Sequence, residues 1–355
     1  MESPRITKGY CMNLYPFIKP ILFRLGAEKA HHIALQSLNQ SHQLHLLSTL
    51  IGPVPSLPTH FCGLDLPNPV GLAAGLDKDG KYIDALSTLG FGFLELGTVT
   101  PLAQAGNPQP RMFRLTESMG VINRMGFNND GVDACVARVK ASAFYQSGGV
   151  IGLNIGKNAI TPIENASSDY VTCMQKVYGV ASYITINISS PNTKNLRQLQ
   201  GGQDLVELLK TIQGTREQLS QQYGKRTPLF LKIAPDLDDE SIQNISQAIL
   251  EYQMDALIAT NTTLSRNGVD NEPFKNETGG LSGLPVRTLS TQIIQKFSQH
   301  LQDKIPMIGV GGIMQGDDAL QKIHVGAKLV QLYTGLIYQG PQLIKDCIVS
   351  LKDHS

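Results

Sequence analysis

The sequence has few cysteines, and their arrangement argues against two classes of protein. Its 355 residues include an odd number of cysteines with no C-x-x-C pair, namely Cys11, Cys62, Cys135, Cys173 and Cys347. Disulfide-stapled domains and zinc sites both need closely and regularly spaced cysteines. We therefore predict neither, and a reducing compartment fits this cysteine usage.

An excess of either charge and a long apolar run are also lacking. Thirty basic residues against 29 acidic ones leave a formal net charge of +1, so no nucleic-acid partner is indicated. No stretch approaches the roughly 20 apolar residues that span a bilayer, and the amino terminus has no basic start followed by an apolar run. We expect neither a membrane span nor a secretion signal, whereas association with a membrane surface stays open.

Motifs of metal-dependent enzymes and serine hydrolases are missing as well. His31 and His32 are adjacent, and neighbouring helical positions diverge by about 100°, so the two rings cannot easily share an ion. No G-x-S-x-G elbow occurs, which argues against a Ser-His-Asp hydrolase. We predict no catalytic metal.

What the sequence does contain, from residue 69 onward, is eight short apolar runs, each followed by a segment long enough for a helix. They are PVGLAAG (69–75), FLELGTV (93–99), VIGLNIG (150–156), YITINIS (183–189), LFLKIA (229–234), ALIATNT (256–262), MIGVGG (307–312) and LVQLYTG (329–335). Apolar strands that alternate with helices are typical of a parallel sheet covered on both faces. Eight such units predict an α/β fold, a (β/α)8 TIM barrel, with a doubly wound open sheet as the alternative.

The carboxyl ends of these runs carry polar residues and glycines. They are Asp77, Lys78, Thr98, Asn154, Asn187, Lys232, Asn261, Gly311, Gly312, Tyr333 and Thr334. In a barrel these ends meet at one mouth, where barrel enzymes place their active sites. Helix caps and turns explain any one of them, but explain poorly two lysines and three asparagines beside strand ends.

Glycine-rich segments predict a phosphate site at this mouth. They are TGGLSG (278–283), GVGG (309–312) and YTG (333–335), and loops after strands seven and eight are the usual phosphate site of barrel enzymes. Lys232 could stabilise negative charge on a reduced cofactor ring, and Lys78 offers a second cation for an anionic substrate. Amide side chains that suit a small planar carboxylate are Asn123, Asn154, Asn187, Asn192 and Asn261.

The first 58 residues follow a different pattern and predict a small helical subdomain before a barrel over 59–355. One helical face is formed by Leu14, Phe17, Ile18, Ile21, Leu22 and Leu25, and a second apolar set by Ala30, Ile33, Ala34 and Leu38. Pro20 should kink or delay the first helix, and 52–60, with three prolines, is the predicted linker. No acidic residue lies between Glu28 and Asp65, so the subdomain either packs on the barrel or touches an anionic membrane surface.

Eight motifs in order along nearly the whole chain resemble the dihydroorotate dehydrogenase family. They are GLAAGLDKDG (71–80), NRMGFNN (123–129), LNIGKN (153–158), INISSPNT (186–193), LKIAPD (231–236), ATNTT (259–263), TGGLSG (278–283) and IGVGGI (308–313). The amino-terminal extension resembles that of the membrane-associated, quinone-dependent class 2. This resemblance implies an FMN enzyme that oxidises (S)-dihydroorotate to orotate in de novo pyrimidine (UMP) biosynthesis and passes electrons to a membrane quinone.

The resemblance also implies residue roles. By its place in the SSPN motif, Ser190 would be the base that removes the proton from substrate C5 while hydride leaves C6 for flavin N5. The soluble classes carry cysteine at this point, so the serine also implies the quinone-dependent class. Thr193 and Phe127 resemble the family's proton relay and shield. The alternative is that Ser190 only caps the turn before Pro191.

Ligand contacts carry over from the same motifs. The implied substrate contacts are Lys78, Asn123, Arg124, Met125, Gly126, Phe127, Asn187, Asn192, Asn261 and Thr262. The implied FMN contacts are Ala74, Gly75, Leu76, Asp77, Lys78, Thr98, Asn154, Asn187, Lys232, Thr260, Gly283, Gly312, Tyr333 and Thr334. Candidate quinone contacts are His31, Arg114 and Tyr333.

The resemblance further implies a peripheral protein on the cytoplasmic side of the cell membrane, with the amino-terminal helices at the membrane surface and no obligatory protein partner. Two other functions stay open. One is an FMN barrel that reduces a uracil-type base, free or in tRNA, although tRNA would need a basic surface. The other is a non-catalytic barrel that binds a phosphorylated metabolite.

Overall fold

The computed structural model describes residues 13–354. Residues 1–12, which include Cys11 and the start of the predicted extension, and Ser355 lie outside the described residues. The strands are β1 (Thr59–Phe61), β2 (Leu64–Leu66), β3 (Val70–Leu72), β4 (Phe93–Val99), β5 (Met112–Leu115), β6 (Gly120–Asn123), β7 (Ile151–Ile155), β8 (Tyr183–Asn187), β9 (Leu229–Ile233), β10 (Ala256–Ala259), β11 (Gly280–Gly283), β12 (Met307–Val310) and β13 (Ala327–Leu332).

Helices occupy most of the intervening segments. They are α1 (Tyr15–Phe23), α2 (Ala27–Gln43), α3 (Leu47–Ile51), α4 (Ile83–Ser87), α5 (Val132–Ala141), α6 (Ala143–Gln146), α7 (Ala166–Val177), α8 (Gly202–Tyr223), α9 (Asp239–Glu251), α10 (Arg287–Leu301), α11 (Gly316–His324), α12 (Thr334–Gln339) and α13 (Gln342–Lys352). Short 3-10 turns cover Ile163–Asn165, Leu196–Gln200 and Leu284–Val286.

Eight parallel strands close into a barrel in chain order, β3, β4, β7, β8, β9, β10, β12 and β13. β13 pairs with β3, with Val330 opposite Val70, and this pairing closes the ring. Each strand lies within one of the eight apolar runs, apart from the two extra residues with which β13 begins. The strands are apolar throughout because one face fills the barrel and the other packs on helices. The (β/α)8 TIM barrel is confirmed, and the open-sheet alternative is wrong.

The hairpin of β1 and β2 covers the amino-terminal end of the barrel. Phe61 of this hairpin packs edge-on against Phe230, with ring centroids 5.7 Å apart, and Tyr183 stacks on Phe230 at 4.4 Å. Tyr183 is the first residue of β8 and Phe230 the second residue of β9, so these rings seal that end. The chemistry is therefore confined to the opposite end.

A second sheet stands over the carboxyl-terminal mouth. β11, β6 and β5 form three antiparallel strands in that order, contributed by the segments after β4 and β10. The segment TGGLSG, which the sequence predicts as a phosphate loop, contributes its last four residues to β11. The prediction of a loop there is wrong, because Gly280–Gly283 pairs with Gly120–Asn123 in register.

The extension forms α1, α2 and α3. α1 begins five residues before Pro20 and includes it, so the prediction that Pro20 delays the helix is wrong. Leu35 of α2 and Leu47 of α3 are buried against the barrel core. Phe17 and Ile21 of α1 are 76% and 65% exposed. Among the described helices none is long and apolar enough to cross a bilayer.

Candidate active site

The strand ends meet around one cavity, here called the mouth cavity, under β11 and β6. Predicted site residues that line it are Ala74, Gly75, Lys78, Thr98, Asn123, Met125, Gly126, Phe127, Asn187, Ser190, Asn192, Lys232, Thr260, Asn261, Thr262, Gly283, Gly312, Tyr333 and Thr334. The barrel register brings them together because parallel strands present their carboxyl ends on the same side.

Four other predicted residues lie near the cavity but do not line it. Asn154 is fully buried beneath it and bonds to Thr98. Asp77 accepts bonds from the backbone amides of residues 81 and 82 at 2.9 and 2.8 Å, and burial raises the pKa of its carboxyl. Arg124 pairs with Glu277 at 2.5 Å. Leu76 faces a second cavity.

Ser190 lies in the loop after β8, at the mouth. Its side chain is nearly buried, and its Oγ accepts a bond from the Asn192 backbone amide at 3.2 Å. Arg197 fixes this loop: its Nε donates to the Ser189 carbonyl at 3.1 Å, and a terminal nitrogen donates to the Thr262 carbonyl at 2.8 Å. The loop that carries Ser190 is therefore tied to the loop after β10.

Cationic and amide groups surround the space in front of Ser190. Asn192 Nδ2 donates to Asn123 Oδ1 at 3.3 Å, and Lys78 Nζ donates to the Gly75 carbonyl at 3.0 Å. Burial lowers the pKa of Lys78 to about 8, against the influence of Asp79. Among the described residues the buried Oγ1 of Thr262, which lines the cavity, has no hydrogen-bond partner, and neither has that of Thr193, which does not line it. The arrangement offers a cation, amide groups and an unpaired hydroxyl to a small anionic ligand.

The other side of the mouth cavity is built from backbone. A Cβ at Gly312 would lie 2.4 Å from the Cα of Arg287, and a Cβ at Gly283 would lie 2.3 Å from the Met119 carbonyl oxygen. Both positions have positive φ, so only glycine fits without strain. The end of β11, the loop after β12 and the first residues of α12 line this side of the cavity, and their backbone amides are of the kind that bind phosphate. Lys232 and an amide-rich floor lie toward the barrel axis, so the residues present fit FMN.

Sequence reasoning missed the floor of this cavity. Glu95 of β4 is completely buried and accepts bonds from Asn154 and Gln331 at 2.8 and 2.7 Å. Lys232 lies 3.4 Å from it. The available signal was a single carboxylate within the otherwise uncharged strand FLELGTV, since ionisable groups are almost never buried without partners.

The second cavity, here called the apolar slot, lies between the extension and the barrel. Its volume is about 320 Å³, and its walls come mainly from α1, α2, α3 and β5. His31 and Arg114 are among its few polar residues. Arg114 donates to the Phe23 carbonyl at 3.1 Å and lies 4.1 Å from the Phe23 ring centre. Burial, helped by Lys78, lowers the pKa of His31 to about 3.

One loop separates the two cavities. Ala74, Gly75 and Lys78 line the mouth cavity, whereas Leu76 lines the apolar slot. Tyr333, predicted beside His31 and Arg114, lies on the mouth side instead and donates to the Gly75 carbonyl at 3.3 Å. The structure therefore brings His31 and Arg114 into one cavity and places Tyr333 behind the dividing loop.

Known proteins of one family resemble this chain over nearly its full length. The family profile described as dihydroorotate dehydrogenase matches residues 56–354. A dihydroorotate dehydrogenase (quinone) from Polynucleobacter asymbioticus is 56% identical over 95% of this chain and 98% of the relative, and that of Acinetobacter baylyi is 55% identical over 95% and 99%. A crystal structure of Eimeria tenella DHODH in complex with ferulenol is 36% identical, with a TM-score of 0.83 over 94% of each chain.

Proposed function

The chain belongs to the dihydroorotate dehydrogenase family, and from this premise we propose that it oxidises (S)-dihydroorotate to orotate in pyrimidine synthesis, with FMN as cofactor and a quinone as electron acceptor. One observation carries the proposal. A polar mouth cavity that contains Ser190 and Lys78 and an apolar slot lie on opposite sides of the same loop, residues 74–78. Two substrates of opposite polarity can therefore approach one cofactor from different sides.

The residues proposed to hold FMN divide by chemistry. The amides around Gly283 and Gly312, with the Thr334 hydroxyl, suit the phosphate because they donate without crowding it. Lys232 and the Asn187 amide suit the polar edge of the ring, and Asn154 would support it from beneath through its bond to Asn187. When bound, FMN supplies the acceptor that takes a hydride from the substrate and passes the electrons to the quinone.

Ser190 is the proposed base for the substrate C5 proton. A serine hydroxyl is a weak base and must pass the proton onward. Thr193 is suited to this step because its Oγ1 is buried and has no partner among the described residues. The Phe127 ring lines the same cavity and would limit the access of water.

Lys78 and the asparagines are the proposed binding groups for the substrate. An ammonium group attracts the carboxylate, and charge-assisted bonds are roughly twice as strong as neutral ones. Asn123, Asn192 and Asn261 line the cavity beside it, and each amide offers both donors and an acceptor to the ring edge of a pyrimidine. These contacts would fix the substrate with its reacting carbon near Ser190.

The apolar slot is the proposed quinone site, with His31 and Arg114 as polar contacts for the head group. Apolar walls suit an isoprenoid tail, which gains roughly 0.8 kcal/mol for each buried CH₂. The exposed apolar side chains of α1 would lie against the cytoplasmic face of the cell membrane and admit the quinone from there. The protein would then be peripheral, with no obligatory protein partner.

Anaerobic titration of the purified protein tests the proposal. We expect a yellow protein whose flavin absorbance bleaches on addition of dihydroorotate and returns on addition of a quinone. A colourless protein would favour the non-catalytic metabolite-binding barrel. A yellow protein that dihydroorotate does not bleach would refute the proposed substrate.

A further inference from the structure

Glu95 is the acceptor on which the floor of the mouth cavity converges. Four side chains from four other strands donate to its carboxylate: Asn154 at 2.8 Å, Gln331 at 2.7 Å, Tyr183 at 3.2 Å and Lys232 at 3.4 Å. The residue is fully buried. A carboxylate can only accept hydrogen bonds, and all four of these partners are donors.

A chain of hydrogen bonds connects Glu95 to Asn261, one of the residues proposed to bind the substrate. Asn154 donates to Glu95, and its Oδ1 accepts from Asn187 Nδ2 at 3.1 Å. Asn187 Oδ1 accepts from the Ser189 hydroxyl at 2.9 Å, and Ser189 accepts from Asn261 Nδ2 at 2.9 Å. Every donor points toward Glu95, so an acceptor-only group at that end determines which way each amide faces.

Two other neighbours of Glu95 face the cavity itself. Glu95 is the ion-pair partner of Lys232, and no other carboxylate within residues 13–354 lies within 4.0 Å of that ammonium. Gln331 lines the cavity and is 1% exposed, and its Oε1 has no partner among the described residues. Because the NH₂ group of Gln331 is committed to Glu95, its carbonyl oxygen is the atom of this amide that can still accept a hydrogen bond.

We propose that Glu95 is a positioning residue that balances the charge of Lys232 and sets the orientation of two amides that line the cavity toward the cofactor ring, Gln331 directly and Asn187 through Asn154. This inference rests on the proposed function, because it requires FMN to bind in the mouth cavity. It adds Gln331 Oε1 as an acceptor for a ring N–H.

The sign of the electrostatic effect follows from the ion pair. Reduction adds negative charge to a flavin ring, and protein charges near the ring set its potential. Lys232 alone would favour the reduced form, and the buried carboxylate beside it offsets part of that effect. Removal of the carboxylate charge should therefore raise the reduction potential of the bound flavin.

Glu95→Gln in the full-length holoenzyme is the test, because it removes the charge and keeps the shape. We expect the equilibrium between reduced and oxidised flavin to shift at least tenfold toward the reduced form, about 30 mV for a two-electron couple. The midpoint potential is measured by dye equilibration, and bound FMN and thermal unfolding are measured in parallel. A residue with only a structural role would change thermal unfolding without moving the potential.

Two controls separate charge from packing. Tyr183→Phe removes one donor to Glu95 but keeps the charge, and Glu95→Asp keeps the charge on a shorter side chain, so both should stay within about twofold of the wild-type equilibrium. If Glu95→Gln loses FMN while Glu95→Asp keeps it, the potential of Glu95→Gln cannot be measured, but the difference in FMN binding itself supports the need for a charge at this position.

Three results would overturn the inference: a wild-type potential in Glu95→Gln, loss of FMN from both Glu95 variants, or a wild-type protein without FMN. The last also defeats the proposed function. By contrast, a wild-type protein that holds FMN but is not bleached by dihydroorotate defeats the proposed substrate alone, because the potential of its flavin still tests Glu95.

Discussion

The adjacent residues Ser189 and Ser190 differ in how many hydrogen bonds their hydroxyls already make. Ser189 Oγ donates to Asn187 and accepts from Asn261, both at 2.9 Å. Ser190 Oγ only accepts, from the Asn192 amide at 3.2 Å, and it lines the mouth cavity. Its proton is therefore available for exchange with a ligand or a relay, whereas the Ser189 hydroxyl holds the floor together.

The first prediction uses this pair as test and control. Ser190→Ala should retain FMN but slow flavin reduction by dihydroorotate at least 100-fold, the lower range for loss of a positioned acid or base. Ser189→Ala should act mainly on substrate affinity, because it breaks a link in the floor without touching the proton path. Anaerobic stopped-flow reduction measures both. Equal reduction rates in Ser190→Ala and wild type would exclude Ser190 as the base.

The second prediction concerns the charge of Lys78. Burial lowers the pKa of Lys78 to about 8, so its ammonium form prevails below that pH and is lost above it. For an anionic substrate, kcat/KM should therefore fall as pH rises through about 8 in the free enzyme.

Lys78→Ala should raise the KM for dihydroorotate by roughly 10- to 150-fold, as expected for a charge-assisted bond of about 1.5–3 kcal/mol. The matched control is Lys81→Ala, because Lys81 pairs with Asp79 and Asp130 at 3.2 and 2.7 Å and does not line the cavity. Similar KM values in wild type and Lys78→Ala would place the substrate carboxylate elsewhere.

How much of the site the sequence predicts depends on where a residue lies in its strand. Asn187 is the last residue of β8 and Lys232 the last but one of β9, so the barrel pattern alone places them near the mouth. Glu95 is the third of seven residues in β4, and Gln331 lies between apolar residues of β13, where the same pattern predicts only buried apolar positions. Their role depends on which side chains the closed barrel brings opposite them, and strand periodicity does not contain that information.

At the scale of elements, an ion pair joins α2 to a loop at the mouth. Arg111, next to β5, binds Glu28 of α2 through two nitrogens at 3.0 and 2.8 Å and also donates to the carbonyls of Ala105 and Asn107. Asn107 in turn donates to the carbonyls of Arg124 and, at 3.4 Å, Asn192. The extension is therefore connected to the loops proposed to hold the substrate.

The third prediction follows from this connection. Glu28→Gln leaves a largely buried guanidinium without its carboxylate, which should lower the free energy of unfolding by about 1–3 kcal/mol. The loop at 105–107 should also loosen and raise the KM for dihydroorotate. Denaturant unfolding and steady-state kinetics measure the two effects, with Glu251→Gln on the barrel helix α9 as control. An unchanged KM would show that the connection does not reach the substrate loops.

The sequence predicts the repeating strands of the barrel better than the strands that lie outside the repeat. Eight apolar runs, each with a following helix, predict all eight barrel strands. β5, β6 and β11 are four-residue strands. β11 pairs with β6 across about 160 residues of chain, and its glycines at Gly280 and Gly283 resemble a loop. The link between Glu28 and Arg111 spans 83 residues, so local pattern could not predict it.

At the scale of the whole molecule, the polar and apolar cavities face different surroundings. The apolar slot lies beside the extension, where Phe17, Ile18 and Ile21 are exposed and Leu44, Leu46 and Leu50 extend the apolar surface. Six exposed large apolar side chains within residues 17–50 favour an interaction site on the extension. The barrel side of the same helices is packed, with Leu35 and Leu47 buried, so one face of the extension holds the slot, and the other is the face that we propose lies on a membrane.

The last prediction tests that outer face while the extension stays folded. Phe17→Ser combined with Ile21→Ser removes two side chains that are 76% and 65% exposed, so the barrel and slot should keep their packing. Burying each of these side chains in lipid contributes roughly 1.5–3 kcal/mol to membrane binding. Since about 1.4 kcal/mol is a factor of ten, the double variant should bind vesicles at least tenfold more weakly than the wild type, even if the two side chains insert only in part. Turnover with a long-tail quinone should fall in parallel, whereas flavin reduction by dihydroorotate should not change.

Ile160→Ser is the matched control, because Ile160 is 80% exposed but lies between β7 and α7, outside the extension. Sedimentation with anionic vesicles measures binding, and equal sedimentation of the double variant and Ile160→Ser would exclude α1 as the membrane-facing element.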